Sequence, residues 1–312
     1  MRKPKCLVLI PAGPGMPFQF VQDTVDSVLH NLPHDEAAVC IIDNTDDGSH
    51  SNLDTGQHER FYLLRSEVYP FTDVPQTVRG PFWVEQVRAL AALRERYDYD
   101  VVLRLDTDAL VTGPWPHRDI LAASTQQPRA GIFGAFSERG DGSKKASDMY
   151  KVGEKLRYEM SIYRSRRQLL KKPARLACSL ALKRLYWRAR RNGYQAGYTV
   201  TGGAAFMMRP LIDRWCEMGL HRLDALRFSS LTDDVLFGLC TYAAGFYLSD
   251  GPPNILSVNW IGMPMSPTEV TARGVKVIHS IKTSDFEEQN NIRRYFATSR
   301  LQSYPPNATI YL

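Results

Sequence analysis

Val101-Val102-Leu103-Arg104-Leu105-Asp106-Thr107-Asp108 is an apolar run that delivers two carboxylates, one residue apart, to its carboxyl end. The run predicts a buried strand over residues 100–105, stopped by the polar triplet 106–108. Upstream, residues 6–10 are a second continuous apolar stretch, ending in the loop Pro11-Ala12-Gly13-Pro14-Gly15. Residues 18–32 carry Phe18, Val21, Val25, Val28, Leu29 and Leu32 at helical spacing. A strand over 38–42 ends in the polar cluster Asp43-Asn44-Thr45-Asp46-Asp47-Gly48-Ser49, and 60–64 reads as a third strand. Residues 81–97 then read as a helix with Val84, Val87, Leu90, Ala91 and Leu93 inward. This alternation predicts an α/β fold: a doubly wound, mostly parallel sheet flanked by helices, with ligands at the carboxyl ends of its strands.

After a strand over 130–136 the pattern changes. Residues 138–145 form a polar loop, and 148–191 read as helical and basic. Sheet-like sequence resumes at 197–208, followed by a helix over 210–218 and short strands over 246–248, 255–258 and 275–279. With 44% apolar and 23% charged residues among 312, the chain is neither disordered, nor collagen-like, nor a coiled coil. Five scattered cysteines (Cys6, Cys40, Cys178, Cys216, Cys240) without a C-x-x-C argue against a disulfide scaffold or a zinc ribbon, and favour a reducing compartment. The apolar runs are too short to cross a bilayer, and residues 1–5 lead straight into a strand rather than a signal peptide. A cytoplasmic protein is therefore expected, in which the Asn307-Ala308-Thr309 sequon carries no weight.

Several residues have the chemistry of a site. Carboxylates spaced like Asp106 and Asp108 suit Mg²⁺ or Mn²⁺, hard cations that take one or two carboxylates together with diphosphate oxygens. A solvated turn after a strand is the plain alternative. Thr201-Gly202-Gly203-Ala204-Ala205-Phe206 pairs two glycines, which lets backbone approach a ligand or simply forms a bulge. Leu231-Thr232-Asp233-Asp234-Val235-Leu236-Phe237-Gly238 opens a helix with two acids, which either cap its free N–H groups or supply a general base. A late strand ends in Val277-Ile278-His279-Ser280, with Lys282 beyond it. Trp260 is either a core residue or a platform for a sugar.

In this order the motifs resemble the GT-A nucleotide-sugar glycosyltransferases, most closely the fringe and β1,3-galactosyltransferase type. That pattern runs from D-x-D to a G-G-A-G-[FY]-like strand, an [ED]-D-V helix start and a late histidine; here Ala205 replaces the last glycine. The resemblance implies a metal-dependent hexosyltransferase that moves a sugar from a nucleoside diphosphate, UDP by family habit, to an acceptor hydroxyl. Asp106, Asp108 and His279 would hold Mn²⁺ or Mg²⁺. Asp234, rather than its neighbour Asp233, would be the base of an inverting transfer. Pro11, Ala12, Gly13 and Asp43 would hold the base and ribose, with Arg79, Arg88, Thr107, Gly202, Gly203 and Lys282 also on the nucleotide side. One domain over 1–312 is implied: a nucleotide-binding half over about 1–139, a basic helical insertion over about 140–195, an acceptor half over about 196–282, and a helix and tail over 283–312. A haloacid-dehalogenase phosphatase also uses D-x-D, but wants Thr or Val where Leu110 stands and places the motif after its first strand. A sugar nucleotidyltransferase would need G-x-G-T-R-x-x-P after the first strand, and Gly13-Pro14-Gly15-Met16-Pro17-Phe18 only half-imitates a dinucleotide fingerprint.

Charge is unevenly spread. Residues 144–191 hold sixteen Lys and Arg against Asp148, Glu154 and Glu159, a net of +13 in a chain whose total is +6, so the remainder carries −7. Apolar residues are interleaved: Leu156, Met160 and Tyr163, then Leu180, Leu182, Leu185 and Trp187. The block therefore reads as an anionic-membrane surface, or as a solvated face whose apolar stripe packs on the body. A non-catalytic nucleic-acid-binding protein would explain the block, but not the D-x-D and Asp-Asp series.

Overall fold

The computed structural model describes residues 4–13, 16–33, 35–44, 61–65, 79–161, 173–252 and 254–302. Its larger sheet has seven strands in the order β3 (Phe61–Arg65), β2 (Ala37–Asp43), β1 (Cys6–Ala12), β4 (Val101–Leu105), β7 (Ala204–Met208), β6 (Ala130–Gly134) and β8 (Tyr247–Asp250). Strand β1 lies parallel to β2 and β4, β2 to β3, and β6 to β8. Strand β7 alone is reversed, running antiparallel to β4 and β6.

Alternate side chains of β1 enter different layers, Leu7 and Leu9 on one face and Cys6, Val8 and Ile10 on the other. Both faces are covered, so β1, β2 and β4 are apolar almost throughout rather than alternating. The first face is buried under α2 (Gly80–Arg96), α4 (Ala146–Met160), α5 (Pro173–Arg191), α6 (Arg209–Glu217) and α7 (Asp233–Ala243), through Trp83, Leu156, Leu182, Trp215 and Leu236 among others. The second lies under α1 (Phe18–Asn31) and α3 (Pro116–Gln126), which contribute Val21, Val25, Val28 and Ile120. The mixed α/β architecture with a mostly parallel central sheet is the one expected from the sequence.

A three-stranded sheet sits beside this sandwich. In it β10 (Val277–His279) runs antiparallel to β5 (Ala109–Val111) and parallel to β9 (Leu256–Val258). Leu110 and Ile278 pack there against Val270 of α8 (Pro267–Arg273) and against Ile292 and Phe296 of α9 (Phe286–Gln302). A polar seam on the buried side of α1 fixes β5: Thr24 Oγ1 donates to the carbonyls of Thr107 and Ala109, and Asn31 Nδ2 to that of Val111.

Local differences from expectation have physical causes. Strand β5 is only three residues long, too short to show a period. Within 197–208 only Ala204–Met208 is strand, because Gly197 and Gly203 adopt positive φ and break the ladder. Phe18, expected inward, is exposed at the first turn of α1. The 148–191 stretch holds two helices, α4 and α5, separated in part by residues outside those described. All five cysteines are unpaired, and no helix among the described residues is long and apolar enough to cross a membrane.

Candidate active site

The carboxyl end of β4, the start of β7, the first turn of α7 and the end of β10 converge on one cavity of about 480 Å³. It is lined by Asp106, Asp108, Gly202, Asp233, Asp234, Trp260, His279 and Lys282, among others. Four separately predicted motifs therefore share one wall.

Asp106, Asp108 and His279 each offer a ligand atom, and these atoms lie within 4.8 Å of one another. His279 Nδ1 stands 2.8 Å from the Asn259 carbonyl oxygen. A carbonyl only accepts, so Nδ1 carries a proton, and Nε2 is the nitrogen turned to Asp108 Oδ1 at 3.2 Å. Ser280 Oγ donates to the other Asp108 oxygen at 2.7 Å. Burial alone would raise the Asp108 carboxyl, but the hydrogen bonds and charge of His279, with Ser280, hold it well below the usual carboxylate range. His279 is raised in turn: burial works against its charge, and Asp108 outweighs it. Asp106 is pushed up by burial despite a neighbouring arginine.

That neighbour, Arg104, is buried inside the apolar strand. One Nη2 lies 2.9 Å from Asp106 Oδ1 and 2.7 Å from Asp233 Oδ2, while its Nε donates to Gln86 Oε1 at 2.9 Å. Gln86 Nε2 completes the ring, donating to Asp233 Oδ2 at 3.0 Å. Asp233 is thus tied to β4 and α2, while Asp234 faces Gly202. Neither acid caps the helix: the cap position is Thr232, and no side-chain cap bond forms. Burial, then the charge of Asp233, raises the Asp234 carboxyl to about 7.

The paired glycines are required by space. A Cβ on Gly202 would stand 2.6 Å from Asp234 Oδ1, and one on Gly203, whose φ is +102°, would overlap the His279 ring. Gly203→Ala should therefore both strain the backbone, by roughly 1–3 kcal/mol, and displace His279. The expected outcome is a lower melting temperature in thermal denaturation. A wild-type melting temperature in this variant would show that the close approach is not needed.

Other predicted residues are placed differently. Thr107 is buried with its carbonyl turned to Thr24 and to Arg293 Nη2 at 2.9 Å, so it lies behind the cavity rather than in its lining. Arg88, expected on the nucleotide side, instead pairs with Asp224 at 2.5 Å and lies outside the lining. Arg79 is also outside it, at the amino end of α2. Pro11, Ala12, Gly13 and Asp43 share the strand-end edge of the sheet, with Ala12 level with Asp43, but do not line the cavity. Residues 45–49 of the acidic turn, Pro14 and Gly15 lie outside the described residues. Trp260 is 63% exposed at the cavity, which removes the core-residue reading. Arg104 and Gln86 were missed by sequence reasoning; the signal for Arg104 is a lone cation in an otherwise unbroken apolar strand.

No protein-family model and no curated protein sequence matches the chain. Among solved structures it is similar to the galactosyltransferase LgtC in complex with donor and acceptor sugar analogs, at 12% identity over 98% of this chain and 100% of that one, with a TM-score of 0.46. The WbbM bifunctional glycosyltransferase aligns at 11% identity over 97% of this chain and 52% of its own, with a TM-score of 0.49. The mannosyltransferase PcManGT from Pyrobaculum calidifontis, in complex with GDP-Man and Mn²⁺, aligns at 15% identity over 97% and 66%, with a TM-score of 0.41. These values describe a distant resemblance to glycosyltransferases and nothing finer about the chemistry.

Proposed function

We propose that the protein is a metal-dependent glycosyltransferase, moving a sugar from a nucleoside diphosphate donor, UDP in the first instance, to an acceptor hydroxyl. The observation that carries this reading is the placing of the Asp106, Asp108 and His279 ligand atoms within 4.8 Å of one another, in the cavity that also holds the Asp234 carboxylate. Two carboxylates and an imidazole nitrogen suit Mn²⁺ or Mg²⁺, and the bond from Nδ1 to Asn259 fixes the ring with Nε2 inward. When bound, the cation offsets the diphosphate charge and stabilises the departing nucleoside diphosphate.

The chain's own residues supply the rest. Lys282 adds a point charge for the diphosphate on the same wall. Trp260 offers its exposed ring to a sugar face. Asp234 takes the proton from the acceptor hydroxyl as its oxygen attacks the anomeric carbon opposite the leaving group, which inverts the configuration. Its raised pKa of about 7 suits that task, since a base near the working pH both ionises and holds a proton usefully. Asp233 is a positioning residue through Arg104 and Gln86. The motif order supports the fringe and β1,3-galactosyltransferase type within this reading, in which the whole chain is one catalytic domain. The phosphatase alternative is less well supported: one oxygen of Asp106, its would-be nucleophile, is engaged by Arg104.

The test is UDP affinity by calorimetry with Mn²⁺ and with EDTA, for the wild type and Asp108→Asn. The expected outcome is Mn²⁺-dependent tightening in the wild type, weakened about 10- to 100-fold in the variant, the range typical of damage to a metal shell. Four equal affinities would overturn the assignment.

A further inference from the structure

Helix α5 resolves the two readings of the basic block into separate faces. Cys178, Leu182, Leu185 and Ala189 are buried against the body. On the opposite side, residues 177, 180, 184, 187, 188 and 191 fall within about 100° of arc at 3.6 residues per turn. That side carries Leu180 and Trp187, 51% and 66% exposed, between the exposed side chains of Arg184, Arg188 and Arg191. Among the described residues, no carboxylate pairs with any of these three guanidinium groups. The apolar stripe therefore does not all pack inward: the two largest outward residues stand in water, amid cations.

We propose that this face of α5 docks the protein on the surface of a bilayer containing anionic lipid. Charge complementarity names the partner, because three arginines without a carboxylate partner among the described residues, on one face of a block carrying +13, attract a negative surface. The apolar pair narrows the choice further. Trp187 and Leu180 gain by leaving water for the boundary between headgroups and acyl chains, where an indole is well accommodated. A nucleic-acid backbone would satisfy the arginines but would leave the aliphatic Leu180 in water. A purely solvated face would need no exposed tryptophan. None of these residues lines the cavity, so docking and chemistry are separable.

The experiment is co-sedimentation of the full chain with vesicles of phosphatidylcholine alone or with 30 mol% phosphatidylglycerol (about one lipid in three), at low and high salt, with tRNA binding measured in parallel. The wild type should pellet with the anionic vesicles, much less with neutral ones, and less at high salt. Exchanging Arg184, Arg188 and Arg191 together for Gln should weaken anionic-vesicle binding on the order of 100-fold. Trp187→Ala should weaken it about 10-fold. These side chains are exposed, so both variants should keep the wild-type circular dichroism and UDP affinity. Equal pelleting on both lipids, no pelleting on either, or wild-type binding by the Gln variant would overturn the proposal. So would tRNA binding that is lost in the Gln variant without any vesicle binding. Failure of UDP binding in the wild type would instead count against the glycosyltransferase reading and leave the docking result standing.

Discussion

Asp234→Asn should abolish sugar transfer, with a loss of about 10²–10⁴-fold in kcat, while UDP and Mn²⁺ bind nearly as in the wild type. The reason is division of labour: Asp106, Asp108 and His279 form one cluster, whereas Asp234 stands across Gly202, where the proposed reading has it act on the acceptor. In the wild type the base works only when ionised, so kcat/KM should rise with pH and level off above about 7. The same shift appears in stability with a definite sign. Below the ordinary value of 3.8 the carboxyl is protonated in both folded and unfolded chains. Between 3.8 and about 7 the folded protein holds a proton that the unfolded chain releases, so folding stability falls as pH rises through this window. Asn has no proton to lose. In EDTA, the melting temperature of Asp234→Asn should therefore gain on the wild type from pH 4 to pH 8. The product anomer, read by NMR, should be opposite to the donor's. Retained configuration, or an active Asn variant, would remove Asp234 as the base.

Arg104→Met should be the most destabilising change at the site. The guanidinium is the shared partner of Asp106, Asp233 and Gln86, and methionine of similar length leaves two half-buried carboxylates without it. Removing one partner of a buried ion network typically costs about 3–5 kcal/mol. Because burial already raises the Asp106 carboxyl, the loss should be smaller at pH 5 than at pH 8, where its protonation no longer relieves it. Urea unfolding at the two pH values measures this. A loss below about 1 kcal/mol at pH 8, the worth of an exposed pair, would mean that the carboxylates do not depend on Arg104.

The comparison of sequence with structure divides along the same line. Apolar strands ending in polar turns were legible, because burial on both faces writes continuous hydrophobic runs. The four motifs that line the cavity were visible as motifs, since each stands at an end of an element: after β4, before β7, at the start of α7 and at the end of β10. Partners within the site were not. Arg104 and Asp233 are 129 positions apart, and nothing local announces their pairing. On α2, Gln86 and Arg88 are two residues apart and so point to nearly opposite sides, at about 100° per residue. The charge of Arg88 drew attention to it, but Gln86 is the one turned to the site. Thr107 stands apart from Asp106 and Asp108 for a related reason: its carbonyl is claimed by Thr24 and Arg293, and it is absent from the cavity lining.

The small sheet has a consequence for how the protein comes into being on the ribosome. Asp108 is gripped by Ser280 across 172 residues, and the turn it stands on is held by Arg293 from 186 residues away. The last strand of the seven-stranded sheet, β8, ends at Asp250, before β10 and α9 are made, although Ile255, Val258 and Val277 complete the core on its second face. Synthesis at about 5–20 residues per second puts a gap of roughly 10–35 s between the paired aspartates and the histidine. During that time the remaining strands of the larger sheet are made, but the three-ligand cluster cannot assemble. The three-ligand cluster thus forms only after His279 is made, and a chain that stops short of His279 lacks one of its three ligands.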